Sequence, residues 1–255
     1  MIYLDNAATT RPSDGALARA QHFLTECYYN PSALYGGGAE AGRLLTEARS
    51  FLVSRIADPA QFSLVFTSCG TEADNQAIFS AARRGNAVTT QGEHAAVYES
   101  FKELKNRGVE PRFAPVHADG SVDADALIEM VDAETSLVSV IHVSNETGAI
   151  NDIAQIARRV KQKNPRAVFM SDGVQAFGKI DVRLTKEIDL YTVSAHKIGG
   201  LKGTGALLRR KSYTAISPYL HGGGQENGLR SGTENVFGIA CFYYAAQEKF
   251  SSMAE

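Results

Sequence analysis

The sequence predicts an α/β fold, a three-layer α/β/α sandwich on a mostly parallel central sheet. Three observations lead there. Short apolar runs of strand length alternate with longer amphipathic stretches of helical period, the pattern of strands joined by crossover helices. Several helical stretches open on a capping residue. Five of the apolar runs are followed on their carboxyl side by a polar cluster, and that edge of an open parallel sheet is where ligands bind.

Taken in order, a helix is expected at residues 39–56. A strand at 64–66 leads to Gly70-Thr71-Glu72, with Thr71 as the cap of a helix at 72–83. A strand at 87–90 leads to Glu93-His94 and a helix at 97–107. Asp123 caps a helix at 124–131. A strand at 137–143 leads to Asn145-Glu146-Thr147-Gly148, and Asn151-Asp152 open a helix at 153–163. Strands at 167–170 and 190–193 precede, respectively, Asp172 with Gln175, and Ser194-Ala195-His196-Lys197. Segment 205–208, between glycines and Arg209-Arg210, reads as an antiparallel return strand. With no internal repeat and no Pro- or Ser-rich linker, one continuous domain accounts for the chain.

Bulk properties narrow the function. The 255 residues can bury a large core without disulfides. A formal net charge of −2 gives no electrostatic footprint for nucleic acid or an anionic membrane. Cys27, Cys69 and Cys241 stand far apart, without metal-ligand spacing, which fits a reducing compartment. No apolar run nears the roughly 20 residues of a membrane span, and Met1-Ile2-Tyr3-Leu4-Asp5 lacks the order of a secretion signal. A soluble cytoplasmic protein is expected.

The clusters carry the chemistry. Lys197 ends a buried strand beside His196 and Ser194; a desolvated lysine near other cations sheds its proton and becomes a nucleophile. Asp172 could face a pyridine nitrogen and keep it protonated, and Gln175 could bond a phenolic oxygen. Gly70 and Thr71 open a helix, where free amides and a hydroxyl bind phosphate; no Gly-Lys-Ser/Thr follows, so a nucleotide P-loop is excluded. His94 could stack on a flat ring and move protons. Asn145 could donate to a ring oxygen or a substrate carboxylate. Each cluster alone also suits a cap, a turn or a surface. Together, a lysine, a carboxylate and phosphate-binding groups are what a protein supplies to hold pyridoxal 5'-phosphate.

These residues also resemble a known family. Asn30-Pro31-Ser32, Thr67-Ser68-Cys69-Gly70-Thr71-Glu72, Glu93-His94, Asn145-Glu146-Thr147-Gly148, Asp172-Gly173-Val174-Gln175, Ser194-Ala195-His196-Lys197 and Arg230-Ser231-Gly232-Thr233 occur in the order found in cysteine desulfurases of iron–sulfur cluster assembly. Those belong to the class V aminotransferase superfamily of fold type I pyridoxal phosphate enzymes. The resemblance runs from Tyr3 almost to the end of the chain. It implies that residues 13–250 form the large cofactor domain behind an arm at 1–12, that Lys197 and His94 are catalytic, and that Lys197 forms the Schiff base. His94 would stack on the ring, Asp172 would pair with its nitrogen, and Asn145 and Gln175 would contact the cofactor. Gly70, Thr71, Ser194 and His196 would hold phosphate with the Ala195 backbone nearby. It further implies a homodimer, Thr233 reaching the partner subunit's phosphate, L-cysteine or a similar amino acid as substrate, and a sulfur-acceptor scaffold protein.

Departures from the family pattern are Cys69 for a usual glycine, Tyr35 for a common histidine, Gly199-Gly200-Leu201 in the lysine loop, and Asn227 for a basic residue. The chain stops at Glu255 inside what reads as a helix. The small domain, with the sulfur-carrying cysteine and the arginine for the substrate carboxylate, is therefore expected to lie outside it. Two alternatives stand beside desulfurase: a non-catalytic fragment that binds the cofactor or dimerises, and a related reaction such as selenocysteine lysis or transamination.

Overall fold

Helices on both faces of a seven-stranded sheet build the molecule, seen in a computed structural model that describes residues 2–253. The strands are β1 (Phe62–Thr67), β2 (Asn86–Thr90), β3 (Glu110–Ala114), β4 (Thr135–Ser139), β5 (Val168–Asp172), β6 (Leu190–Ser194) and β7 (Gly205–Arg210), in the order β1-β7-β6-β5-β4-β2-β3. Only β7 runs against its neighbours, β1 and β6. The carboxyl ends of β1, β2, β4, β5 and β6 therefore share one edge, as the polar clusters required.

Side-chain alternation divides the core. Val138 and Phe169 face one side, where α3 (Gly36–Ile56), α6 (Ala124–Glu129), α7 (Ile153–Lys163) and α8 (Val236–Ser252) pack. Leu137 and Met170 face the other, against α4 (Gly70–Ala81) and α5 (Ala95–Leu104). A smaller cluster joins α1 (Asp14–Ala20) to α3 and α8 through Ala20, Ala41, Leu44 and Ala240. A four-residue helix, α2 (His22–Thr25), follows α1.

Several expectations are corrected. The cap of α4 is Cys69, not Thr71: its Sγ accepts the Glu72 amide at 3.4 Å, and the helix begins two residues early. Asp123 and Asp152 cap α6 and α7 as expected. Strand β3 was not foreseen because Glu110, Pro111 and Arg112 break the apolar pattern; as an edge strand it tolerates the proline. Strand β4 ends at Ser139, although Val140 and His142 still donate to Met170 and Asp172 across the sheet. The helix expected to continue through Glu255 ends at Ser252, with Ala254 and Glu255 outside the described residues. No helix among the described residues is long and apolar enough to cross a membrane.

Candidate active site

A cavity of about 230 Å³ opens at the shared strand edge. Its lining includes Gly70 and Thr71 after β1, His94 after β2, Asn145 after β4, Asp172 and Gln175 after β5, and Ser194, His196 and Lys197 after β6. Nine of the eleven residues singled out by sequence thus meet in one place. Ala195 is fully buried and Thr233 is exposed; neither belongs to the lining.

The lysine loop is pinned by the amino-terminal arm. Lys197 Nζ donates to the carbonyls of Ala7 and Ala8 at 2.6 and 2.7 Å. Thr10 donates through its amide and hydroxyl to the His196 carbonyl, at 2.9 and 2.8 Å, and its Oγ1 accepts the Gly199 amide at 2.7 Å. Burial lowers the Lys197 pKa below the usual lysine range, with Asp172 and Asp5 acting against the fall.

Asp172 is 3% exposed at the floor of the cavity. Its Oδ1 accepts the Val174 amide at 2.9 Å. Burial raises its pKa, while that amide, His94 and Lys197 oppose the rise. The glycine after it is a steric requirement: a Cβ on Gly173 would collide with the Tyr191 ring. Gln175 lines the cavity with both amide ends engaged, Nε2 on the Ala7 carbonyl at 2.8 Å and Oε1 accepting from Lys179.

Hydrogen-bond donors without partners converge where α4 meets β6. The Glu72 and Ala73 amides are taken by Cys69, leaving those of Gly70 and Thr71 as the unpaired first-turn donors. Opposite them, Ser194 Oγ is buried with no hydrogen-bond partner. His196 Nδ1 lies 3.0 Å from Thr9 Oγ1, and burial followed by Lys197, Lys202 and Lys179 pushes its pKa down to about 4. A neutral imidazole, an orphaned hydroxyl and two free amides suit a phosphate group. His94 caps α5, its Nδ1 accepting the Ala96 amide at 3.1 Å.

Some contributors escaped the sequence reading. Asp74, Ala8 and Ile141 also line the cavity, as does Cys69, which the family pattern had already put beside the phosphate-binding residues. Asp74 stands one helical turn after Gly70, a spacing that places both on the same face. Nothing in the arm's sequence marks Ala7 and Ala8, since they act through backbone carbonyls.

A sheet edge of this topology that gathers a lysine, an aspartate and free buried donors in one cavity fits a pyridoxal phosphate-binding α/β protein. The family model for class-V aminotransferases matches residues 2–249, and the chain belongs to that family. Over 252 residues it is 39% identical to a cysteine desulfurase of Nostoc sp., an alignment covering 97% of this chain and 62% of that protein. Identity to the cysteine desulfurase IscS of Dictyoglomus turgidum is 38% over 244 residues, covering 93% and 61%. Among solved structures, a NifS-like protein superposes with a TM-score of 0.94 at 37% identity, covering 99% of this chain and 71% of that one. SspA in complex with cysteine gives a TM-score of 0.89 at 30% identity, covering 97% and 72%. The chain spans about 62% of the length of the curated relatives it matches. Pyridoxal 5'-phosphate is the cofactor of the family, and the orphaned Ser194 hydroxyl and the amides facing it fit its phosphate.

Proposed function

We propose that this chain is the cofactor-binding part of a cysteine desulfurase, which converts L-cysteine to L-alanine and passes the sulfur to an acceptor for iron–sulfur cluster assembly. Residues 13–250 are its large domain and residues 1–12 its arm. One observation carries the reading: Lys197, Asp172 and the phosphate cradle, drawn from distant parts of the sequence, line a single cavity.

When bound, pyridoxal phosphate supplies an electron sink for the substrate's α-carbon. Lys197 supplies the amine, and its lowered pKa enlarges the neutral share that can attack an aldehyde or take a proton at Nζ. Asp172 presents an anion to the pyridine nitrogen. Ser194, His196 and the first turn of α4 hold the phosphate, with His196 donating an N–H rather than a charge. His94 covers the ring, and Asn145 and Gln175 orient the ring oxygen and the substrate carboxylate. The proposal extends to a cytoplasmic homodimer in which Thr233 reaches the partner subunit's phosphate, and to a scaffold protein that accepts sulfur.

The test is direct. Chain mixed with pyridoxal phosphate should gain a visible absorbance band that Lys197→Ala lacks, and with the small domain supplied, L-cysteine and a reductant should yield alanine and sulfide. A band without alanine would leave the cofactor site standing and reject desulfurase activity for this chain.

A further inference from the structure

Two carboxyl groups lie at the floor of the cavity. Asp74 is 1% exposed and Asp172 3%, and both line it. Thr192 connects them. Its hydroxyl lies 2.7 Å from Asp74 Oδ1, its backbone is registered opposite Asp172 across β5 and β6, and its carbonyl accepts the Gly173 amide at 3.0 Å.

Two ionised carboxylates so enclosed repel each other, and one keeps its proton. Their surroundings decide which. Asp172 has the Val174 amide, His94 and Lys197 to favour its anion. Asp74 has the Thr192 hydroxyl alone in its favour, and it meets the acidic groups of Asp172, Glu93 and Cys69. Burial first, and Asp172 next, hold the Asp74 carboxyl well above the usual range. Ionised, Asp74 would also stand one helical turn below the amides of Gly70 and Thr71 and repel a phosphate dianion. A neutral acid there removes that repulsion and keeps Thr192 bonded.

We propose that Asp74 is a protonated second acid of the cofactor pocket, a positioning residue that leaves Asp172 alone to carry the negative charge facing the pyridine nitrogen. This rests on the pyridoxal phosphate reading above and adds to it a residue and a protonation state.

Asp74→Asn keeps the shape and stays neutral at every pH. Infrared difference spectra of the chain in light and heavy water, recorded at neutral pH before and after loading with pyridoxal phosphate, should show a carbonyl stretch from protonated carboxylic acid. D74N should remove one component, leaving the part that Glu93→Gln removes. The dissociation constant for pyridoxal phosphate should stay within about twofold in D74N and rise more than about tenfold in Asp172→Asn, tenfold being 1.4 kcal/mol. An infrared band unchanged by D74N, or cofactor binding weakened as much in D74N as in D172N, would overturn the assignment. Should D74N fail to fold, Asp74→Ser reports on the same band. If the wild-type chain takes up no pyridoxal phosphate, the cofactor reading fails, while the infrared measurement still decides where the proton lies.

Discussion

Lys197 Nζ is bonded to the Ala7 carbonyl oxygen at 2.6 Å, although the two residues stand 190 positions apart. The contact makes the arm part of the cavity wall, which Ala8 also lines, and an amine so held would have to leave two carbonyls before attacking an aldehyde. Substituting the side chains of Ala7 or Ala8 would not remove these acceptors. Replacing the lysine would.

Lys197→Ala is therefore expected to do two things. It abolishes the visible band formed with pyridoxal phosphate, and it loosens the arm, whose described residues keep the Gln175, Thr9 and Thr10 bonds and the exposed Arg11–Asp14 pair. Limited proteolysis of the apo chain checks the second effect: cleavage within residues 2–9 should accelerate. A variant that loses the band without any change in arm cleavage would show that the lysine does not tether the arm.

Ser194→Ala separates binding from folding. The hydroxyl is buried without a partner, so its removal costs the apo chain little or raises its stability slightly. Bound phosphate would give it a charge-assisted hydrogen bond worth about 1.5–3 kcal/mol. Pyridoxal phosphate should bind roughly tenfold or more weakly, with the urea midpoint of the apo chain unchanged or higher. Unaltered affinity would remove Ser194 from the cradle.

The fold was legible where burial made sequence pattern strong, and hidden where an element is exposed or acts through backbone. Leu190-Tyr191-Thr192-Val193 reads as a buried strand, and every one of its residues is buried. Glu110-Pro111-Arg112 hid β3 because an edge strand answers to fewer packing constraints. The site was legible because side chains with chemistry follow buried runs. Asp74 was not, since a polar residue inside a helix gives no sign of facing a cavity unless Gly70, one turn earlier, is read with it.

Asp189 tests the packing beneath the site. Its carboxylate is 2% exposed and accepts from Lys161 on α7 at 2.5 Å, from Arg210 on β7 at 2.6 Å, and from the Phe169 amide at 2.9 Å. Asp189→Ala would strand two cations and an amide, and a broken buried pair costs about 3–5 kcal/mol. Because both cations keep some solvent contact, about 3 kcal/mol is expected. Urea unfolding at neutral pH measures it, and a loss below about 1 kcal/mol, the size of an exposed pair, would show that the network is decorative.

His142 and Glu93 should make opposed contributions to the pH dependence of stability. Burial depresses the His142 pKa to about 4 from 6.5. Between those values the unfolded chain holds more protons, so this stability is complete above pH 6.5 and is lost on acidification, by about 3 kcal/mol. Glu93 does the reverse. Its Oε1 accepts from the Ile141 amide and the Thr90 hydroxyl, its Oε2 is buried without a partner, and burial raises its pKa to about 8 from 4.5. The folded chain keeps a proton that the unfolded chain has released, so this stability is complete below pH 4.5 and is lost as the pH rises toward 8, by about 4 kcal/mol. Glu93→Gln stays neutral and should match the wild type in urea unfolding at pH 4.5. It should be the more stable chain at pH 8, where the wild type bears the cost of holding or ionising the carboxyl. His142→Gln should instead make the acid limb shallower without removing it, because His196, also depressed to about 4, keeps its share. Parallel wild-type and E93Q profiles across that range would mean that the Glu93 carboxylate ionises in the folded chain as readily as in the unfolded one.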